Sequence, residues 1–465
     1  MTSSLCTVPG IIVLSAASFW LTENVCASGD TTESSVGSET RSNPDPRIDA
    51  LLDEVRSLRD EVQHLRAKTD EPWLTEHRAD EVRALVQDVL ADADTRASLL
   101  ADGMTAGWDH GFFLASADGN FKLKVGGYLQ YRYVLNSQDN SPVDDNRGGF
   151  ENTRTRLKFA GHVGDPTWIY YILGDFSRDG GKFKLKDAYM GHAFDDSGWT
   201  VVAGQFKVPM LREELVSDVY QLPVSRSLVW SEFTAGRTQG AALDYRGDRV
   251  HFVAGYTDGH PATGGFNSPA LARDTEYALT ARVEVLLEGD WSQFKDLTSF
   301  PDERRAIMLG GAVHYQDGEY GTADDELEVL QWTIDVSAEF GGANIFAYVV
   351  GRHLDSTTVE LDQYAFVVQG GYFLADDWEI FGRYEWADDD GLSAEDLSVV
   401  TVGVNRYFHQ HQVKWSTDIG FGLDEVTTTW GDGFIGDGGD ITGWRTDSAG
   451  SDGQVVIRSQ LQFVF

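Results

Sequence analysis

The sequence predicts an all-β fold: an antiparallel transmembrane β-barrel of about 16 strands, preceded by a short α-helical coiled coil. Three observations predict it. From near residue 112, apolar residues recur at every second position in about sixteen successive segments. Short links such as "GGAN" and "ADD" alternate with longer acidic loops such as "NSQDNSPVDDNRGG" and "ADDDGLSAED", the pattern of an up-and-down meander. No segment approaches the roughly 18 to 20 unbroken apolar residues that a spanning helix needs, so any membrane crossing must be made by strands.

Composition agrees. A chain of 465 residues that is 42% hydrophobic and 12% aromatic, with 49 Gly against 11 Pro, suits a folded protein rich in strands and turns. Its 74 acidic and 37 basic side chains leave a formal net charge of −37. Nucleic acid is thereby excluded as a partner, because phosphate binding needs a basic surface.

The N-terminal elements come first. "VPGIIVLSAASFWL" has the length of a signal-peptide core, and "NVCA" ends in small residues, so residues 1–27 are expected to be a signal peptide cleaved after Ala27. The basic n-region is missing, since no Lys or Arg precedes Arg41. Cys6 and Cys26, the only cysteines, would leave with it, so stability cannot rest on disulfides. Residues 28–46 read as a polar linker. Over residues 47–68, Ile48, Leu51, Val55, Leu58, Val62 and Leu65 alternate at spacings of three and four between charged residues, the narrow stripe of a coiled coil. The alternative is one amphipathic helix on its own domain, which expects a wider stripe. Residues 69–110 read as a second helical or linker segment carrying Val82, Leu85, Val89 and Leu90, with the helix ending at Gly103 or Gly107.

Residues 111–465 form the expected barrel. In "FKLKVGGYLQYRYVLN", Phe121, Leu123, Val125, Leu129, Tyr131, Tyr133 and Leu135 make one face, and Lys122, Lys124, Gln130 and Arg132 the other. From Glu328 to Phe340, Leu330, Trp332, Ile334, Val336, Ala338 and Phe340 alternate with Gln331, Thr333, Asp335, Ser337 and Glu339. A soluble sandwich explains one such strand. About sixteen of them, with Tyr, Trp and Phe bunched at strand ends, are better explained by a lipid belt between aromatic girdles, the polar faces lining a lumen. In "SDGQVVIRSQLQFVF" one parity holds Val455, Ile457, Leu461, Phe463 and Phe465; this segment is expected to pair with the first barrel strand.

The chain resembles the phosphate-selective porins (the porin O and P family) of bacterial outer membranes. The ordered set "FKLKVGGYLQYRY", "TRLKFAGHVGDPTWIYYI", "FKLKDAYMGH", "GQFKVPMLREEL", "SRSLVW", "VQGGYFLADDWEIFGRYEWAD", "TVGVNRYF" and "QLQFVF" carries the resemblance over roughly residues 111–465. It implies a homotrimer of barrels in the outer membrane of a Gram-negative-type bacterium, each with a pore and an inward-folded constriction loop at about 207–236. Residue by residue, Lys124 matches a lumen lysine before the paired glycines, Arg154 one arginine of an adjacent pair, and Arg226 an arginine after the constriction loop. The departures are Tyr128 and Thr153, where phosphate-specific members place arginines, and Glu214, beside Glu213, where they place the loop lysine. Those loop carboxylates are expected to repel an anion, with Lys207 and Arg212 close enough in sequence to offset them.

An anion-conducting pore needs lumen-facing cations at successive depths. Parity supplies Lys122, Lys124 and Arg132 on the first strand, Arg154, Arg156 and Lys158 on the second, and Lys184 with Lys186 on the fourth. Beyond Lys207 only Lys295 and Lys414 remain among lysines. The expected function is a passive channel for small anions such as phosphate, or other small solutes. A cation-preferring general porin, or a structural barrel trimerised by its coiled coil or anchored to the cell wall, is the alternative. No enzyme and no cofactor is expected: G-x-S-x-G and H-E-x-x-H are missing and no cysteine follows Cys26. No metal site is expected either. His409 and His411 lie in a link, and the acidic runs lack calcium-loop spacing.

Overall fold

The computed structural model describes residues 53–63, 103–109, 111–139, 144–178, 180–194, 197–259, 274–319, 327–356, 360–388, 396–432, 442–447 and 452–465. The chain divides into two units, residues 1–90 and 91–465. In the first, residues 53–63 are helical and leave Val55, Leu58 and Val62 exposed. The expected signal peptide and linker, the rest of the coiled coil, and residues 69–102 lie outside the described residues.

The second unit contains strands β1 (Met104–Trp108), β2 (Phe112–Ser116), β3 (Lys122–Ser137), β4 (Asn146–His162), β5 (Trp168–Phe176), β6 (Phe183–Ala193), β7 (Trp199–Lys207), β8 (Arg237–Arg246), β9 (Val250–Thr257), β10 (Asp274–Glu288), β11 (Ala306–Glu319), β12 (Leu327–Glu339), β13 (Ala343–Ser356), β14 (Glu360–Ala375), β15 (Trp378–Asp388), β16 (Leu397–His409), β17 (Val413–Gly422) and β18 (Val455–Val464). Each strand from β3 to β18 pairs antiparallel with the next. β18 pairs back onto β3, with Leu461 opposite Tyr131 and Phe463 opposite Leu129, so sixteen strands close a barrel. The Phe465 N–H donates to the Gly127 carbonyl at 3.0 Å, and the Gly127 N–H to the Phe465 carbonyl at 2.8 Å. Glycine is required there, because a Cβ on Gly127 would stand 2.5 Å from the Arg156 carbonyl oxygen and 2.9 Å from the Phe465 ring.

The described strands are inside out relative to a soluble protein. Along β12, Leu330, Trp332 and Ile334 are 43%, 39% and 60% exposed, while Gln331, Thr333 and Asp335 are exposed by 2% or less. A soluble sheet cannot leave one apolar face to solvent on strand after strand. A bilayer requires it, since closure pairs every backbone group and hydrocarbon covers the outside.

Sequence and structure part company at two places. Residues 104–108, expected within a helical or linker segment, are strand β1; "MTAGW" and "FFLAS" form a hairpin about an Asp109–Gly111 turn, with Gly111 at φ 138°. β2 then pairs with residues 122–125 of β3, the stretch that β18 does not reach. The strict alternation of short and long links also breaks. One barrel end carries the links 163–167, 194–198, 247–249, 340–342, 376–377 and 410–412, but also the 17-residue connection 289–305. At the other end lie the longer connections, among them 208–236 and 423–454.

Connection 208–236 turns into the barrel. Val208, Leu211, Leu228, Val229, Trp230 and Phe233 form a core with Phe346, Tyr348, Val350, Val367, Val399 and Val456 of the wall, and with Trp430 and Trp444 of the 423–454 connection. Burying 29 residues of non-strand backbone requires a partner for each polar group. The wall's polar face supplies them. Asn405 donates to the Leu222 carbonyl at 3.0 Å, Lys414 to that of Gln221 at 2.9 Å, Arg383 to that of Ser225 at 2.8 Å, and Gln331 to that of Phe233 at 2.7 Å. Glu385 accepts from the Leu228 N–H at 2.6 Å and Asp418 from the Val224 N–H at 2.9 Å. Ser227 caps the short helix Leu228–Phe233 by accepting from the Trp230 N–H at 2.8 Å.

Candidate functional site: a basic chamber beside the in-folded loop

Because the loop packs against the wall from β12 around to β18, open space remains beside β3 to β10, towards the short-link end. This chamber has a volume of about 950 Å³ and is lined by nine lysines and arginines against four carboxylates. In a chain of net charge −37, that surplus makes it a locally basic compartment.

Five of the expected cations meet there: Lys124, Arg156 and Lys158 from strand parity, and Lys207 and Arg212 from the constriction-loop segment. Lys158 holds no ion pair among the described residues, and its ammonium lies 5.4 Å from the Tyr171 ring centre. Tyr171 stacks on Tyr189 at 5.2 Å, so the floor beside this cation is aromatic. Lys124 is bound to Asp109 at 2.6 Å. Lys207 lies 3.7 Å from Glu214 and donates to the Glu214 carbonyl. Arg212 donates to Ser337 at 3.1 Å, to Glu284 at 3.4 Å and to the Phe294 carbonyl.

The other expected cations lie elsewhere. Arg132 pairs with Glu151 and donates to Ser225 at 3.0 Å, tying wall to loop. Arg226 donates to the carbonyls of Glu213 at 2.8 Å and Val216 at 2.7 Å, bracing the loop from within. Arg154 donates to Gln130 at 2.9 Å and lies 3.3 Å from Asp218. Lys122 shares Asp109 at 3.1 Å. Lys184 is exposed in register with Asp175. Lys186 is buried at a bulge: Leu173 faces Asp187 and Gly174 faces Leu185, leaving Lys186 as the extra residue. The bulge breaks the parity that would align Lys184 with Lys186 and brings Asp187 into register instead, where it receives Arg237 at 3.0 and 3.2 Å.

The constriction-loop carboxylate that lines the chamber is Asp218 rather than Glu213 or Glu214. Glu213 accepts from the Ser227 N–H at 2.8 Å, the Ser227 hydroxyl at 2.7 Å and the Tyr348 hydroxyl at 2.8 Å. Glu214 accepts from the Trp230 indole. Both are almost fully buried and outside the chamber lining. Asp218 accepts from the Tyr128 hydroxyl at 3.0 Å and from Arg156 and Arg226. Burial alone would raise its carboxyl, but Arg156, Arg226 and Arg154 outweigh that and hold it well below the ordinary carboxylate range. Glu214 is likewise lowered despite burial, by Arg226, Lys207 and Arg237. Asp109, in its exposed turn, is lowered by hydrogen bonds from Lys124 and Lys122.

Sequence reading missed Asp109, Asp218, Arg237, Arg246, Arg282 and Lys295. Asp109 had a local signal, the "DHG" turn between two apolar pentapeptides. The others have none, since their meeting depends on which wall the loop packs against.

Residues 123–289 match the sequence model of the family described as phosphate-selective porin O and P. The anion-selective porin from Comamonas acidovorans is similar in structure, with a TM-score of 0.54, 13% identity, and coverage of 74% of this chain and 99% of that one. The outer membrane channel DcaP of Acinetobacter baumannii has a TM-score of 0.48, 12% identity and coverage of 77% and 100%. A loop L8 deletion mutant of OmpT, an outer membrane protein of Vibrio cholerae, has 0.47, 15%, and 74% and 99%. The Comamonas likeness supports the barrel fold. No curated protein matches the chain.

Proposed function

We propose that this chain, whose residues 123–289 match the sequence model of the phosphate-selective porin O and P family, is a passive outer-membrane porin and that its solutes are small anions, phosphate among them. The observation that carries this reading is the basic chamber. A partly dehydrated anion entering it meets Lys158 and its neighbours as charge-assisted donors. With short turns facing the periplasm, as in such barrels generally, the chamber is the periplasmic vestibule, and loop 208–236 is the constriction above it.

Phosphate specificity does not follow from the basic lining. Tyr128 and Asp218 occupy the guanidinium cluster of Arg154, Arg156 and Arg226. That arrangement supports anion preference without tight capture. The test is the reversal potential of purified protein in a planar bilayer under a KCl gradient, repeated with added phosphate. A potential on the anion side supports the reading; one on the cation side overturns it in favour of a general cation-preferring porin, and phosphate block adds phosphate as a ligand.

The assembly proposed is a homotrimer. It is supported by the family resemblance and by the stripe of Val55, Leu58 and Val62 on residues 53–63, which is exposed among the described residues. A coiled coil of roughly 20 residues spans only about 30 Å, enough to set a trimer. Attachment to the cell wall is the second reading of the N-terminal segment; deleting residues 28–102, which leaves strand β1 in place, separates the two by whether trimers or wall contact are lost.

A further inference from the structure

Connection 289–305 belongs to the end of the barrel where links are otherwise short, and it too folds inward. Its residues 294 and 296–300 are all buried. Phe294 packs with Leu286, Ala306 and Met308, and Phe300 with Phe373 and Tyr407. The segment meets the constriction loop directly: the Leu297 N–H donates to the Tyr220 carbonyl at 3.2 Å, Leu297 joins the loop's core, and Arg212 reaches the Phe294 carbonyl. Amid this buried run one side chain stays exposed. Lys295 lines the chamber and holds no ion pair among the described residues. It is one of two lysines beyond Lys207; the other, Lys414, ties down the constriction loop at Gln221.

We propose that connection 289–305 is a second selectivity element, entering opposite the constriction loop, and that Lys295 is the specificity-determining residue through which it acts on small anions. The inference deepens the anion-channel reading and rests on it. The physical basis is placement. The first-strand and second-strand cations reach the chamber from one wall, and 289–305 brings a cation from another part of the rim. Its buried anchors fix where that charge stands, which the entropy of a free loop would not allow. An ion thus crosses a field set from more than one side.

The test compares reversal potentials under a KCl gradient for the wild type, Lys295→Gln, Lys295→Glu and Arg304→Glu. Arg304 lies on the same connection, is highly exposed, pairs with Asp290 and is outside the chamber lining. The anion-to-cation permeability ratio is expected to fall several-fold for Lys295→Gln and further for Lys295→Glu, because each unit charge acting through water over roughly 7 Å shifts the anion and the cation about two- to threefold each, in opposite directions. Arg304→Glu should leave the ratio near the wild-type value. Equal shifts from Lys295→Glu and Arg304→Glu, or none from either lysine variant, overturn the proposal. A cation-preferring wild type would sink the anion-channel reading instead, and a Lys295 effect unmatched at Arg304 would still stand.

Discussion

Asp218, in the in-folded loop, is ion-paired to Arg156 of β4, so the constriction loop is joined to the barrel wall at the chamber by a pair that is almost fully buried on both sides. Arg226 and Arg154 approach the same carboxylate. This chain supplies an anion of its own to its guanidinium cluster.

Replacing Asp218 by Asn should therefore do two things. Stranding buried guanidiniums costs about 3–5 kcal/mol, which would appear as a lower unfolding midpoint in detergent. The uncompensated cluster should also bind phosphate, seen as block of chloride current at phosphate concentrations that leave the wild type conducting. A variant that keeps wild-type stability and wild-type block would show that the pair is incidental.

Lys158 and Lys184 separate lumen charge from charge as such. Both are exposed on the first four barrel strands, and only Lys158 lines the chamber. Lys158→Glu should lower the anion-to-cation permeability ratio several-fold, a change of two unit charges in the ion's path, and Lys184→Glu should change it little. The measurement is again reversal potential; a larger effect at Lys184 would mean that the ion path lies elsewhere.

Ile334 tests the lipid face. It is 60% exposed midway along β12, and an arginine at the bilayer midplane costs about 2–4 kcal/mol. Ile334→Arg should weaken folding into liposomes by that amount in a urea titration. Unchanged stability would mean that this face does not meet hydrocarbon.

Glu303 makes the docking of 289–305 sensitive to pH. Burial, with Asp296 and Asp302 adding to it, pushes its carboxyl up from 4.5 to about 7, against the Phe300 N–H and Lys295, which favour the ionised form. The folded state therefore holds this proton more tightly than the unfolded state, so the group's contribution is fully present below pH 4.5 and is lost as pH rises through about 7. Glu303→Gln should stabilise the barrel more at pH 8 than at pH 5, read as the difference in thermal midpoints. An equal difference at both pH values would contradict it.

The sequence by itself determined the barrel. Sixteen strands, the outward apolar face and the closing pairing of β18 with β3 follow from a period of two, and that period is local: each side chain's face is set by its own backbone and its neighbours. Only the tertiary structure decided which cations line the chamber. Thr153 and Lys186 are bulged residues that reset the parity behind Arg154 and Asp187, Asp109 reaches Lys124 from a hairpin, and Asp218 reaches Arg154 and Arg156 from a loop more than 60 residues downstream. Ion pairing depends on distances that folding creates between remote segments, and the packing of 208–236 and 289–305 against particular walls sets those distances.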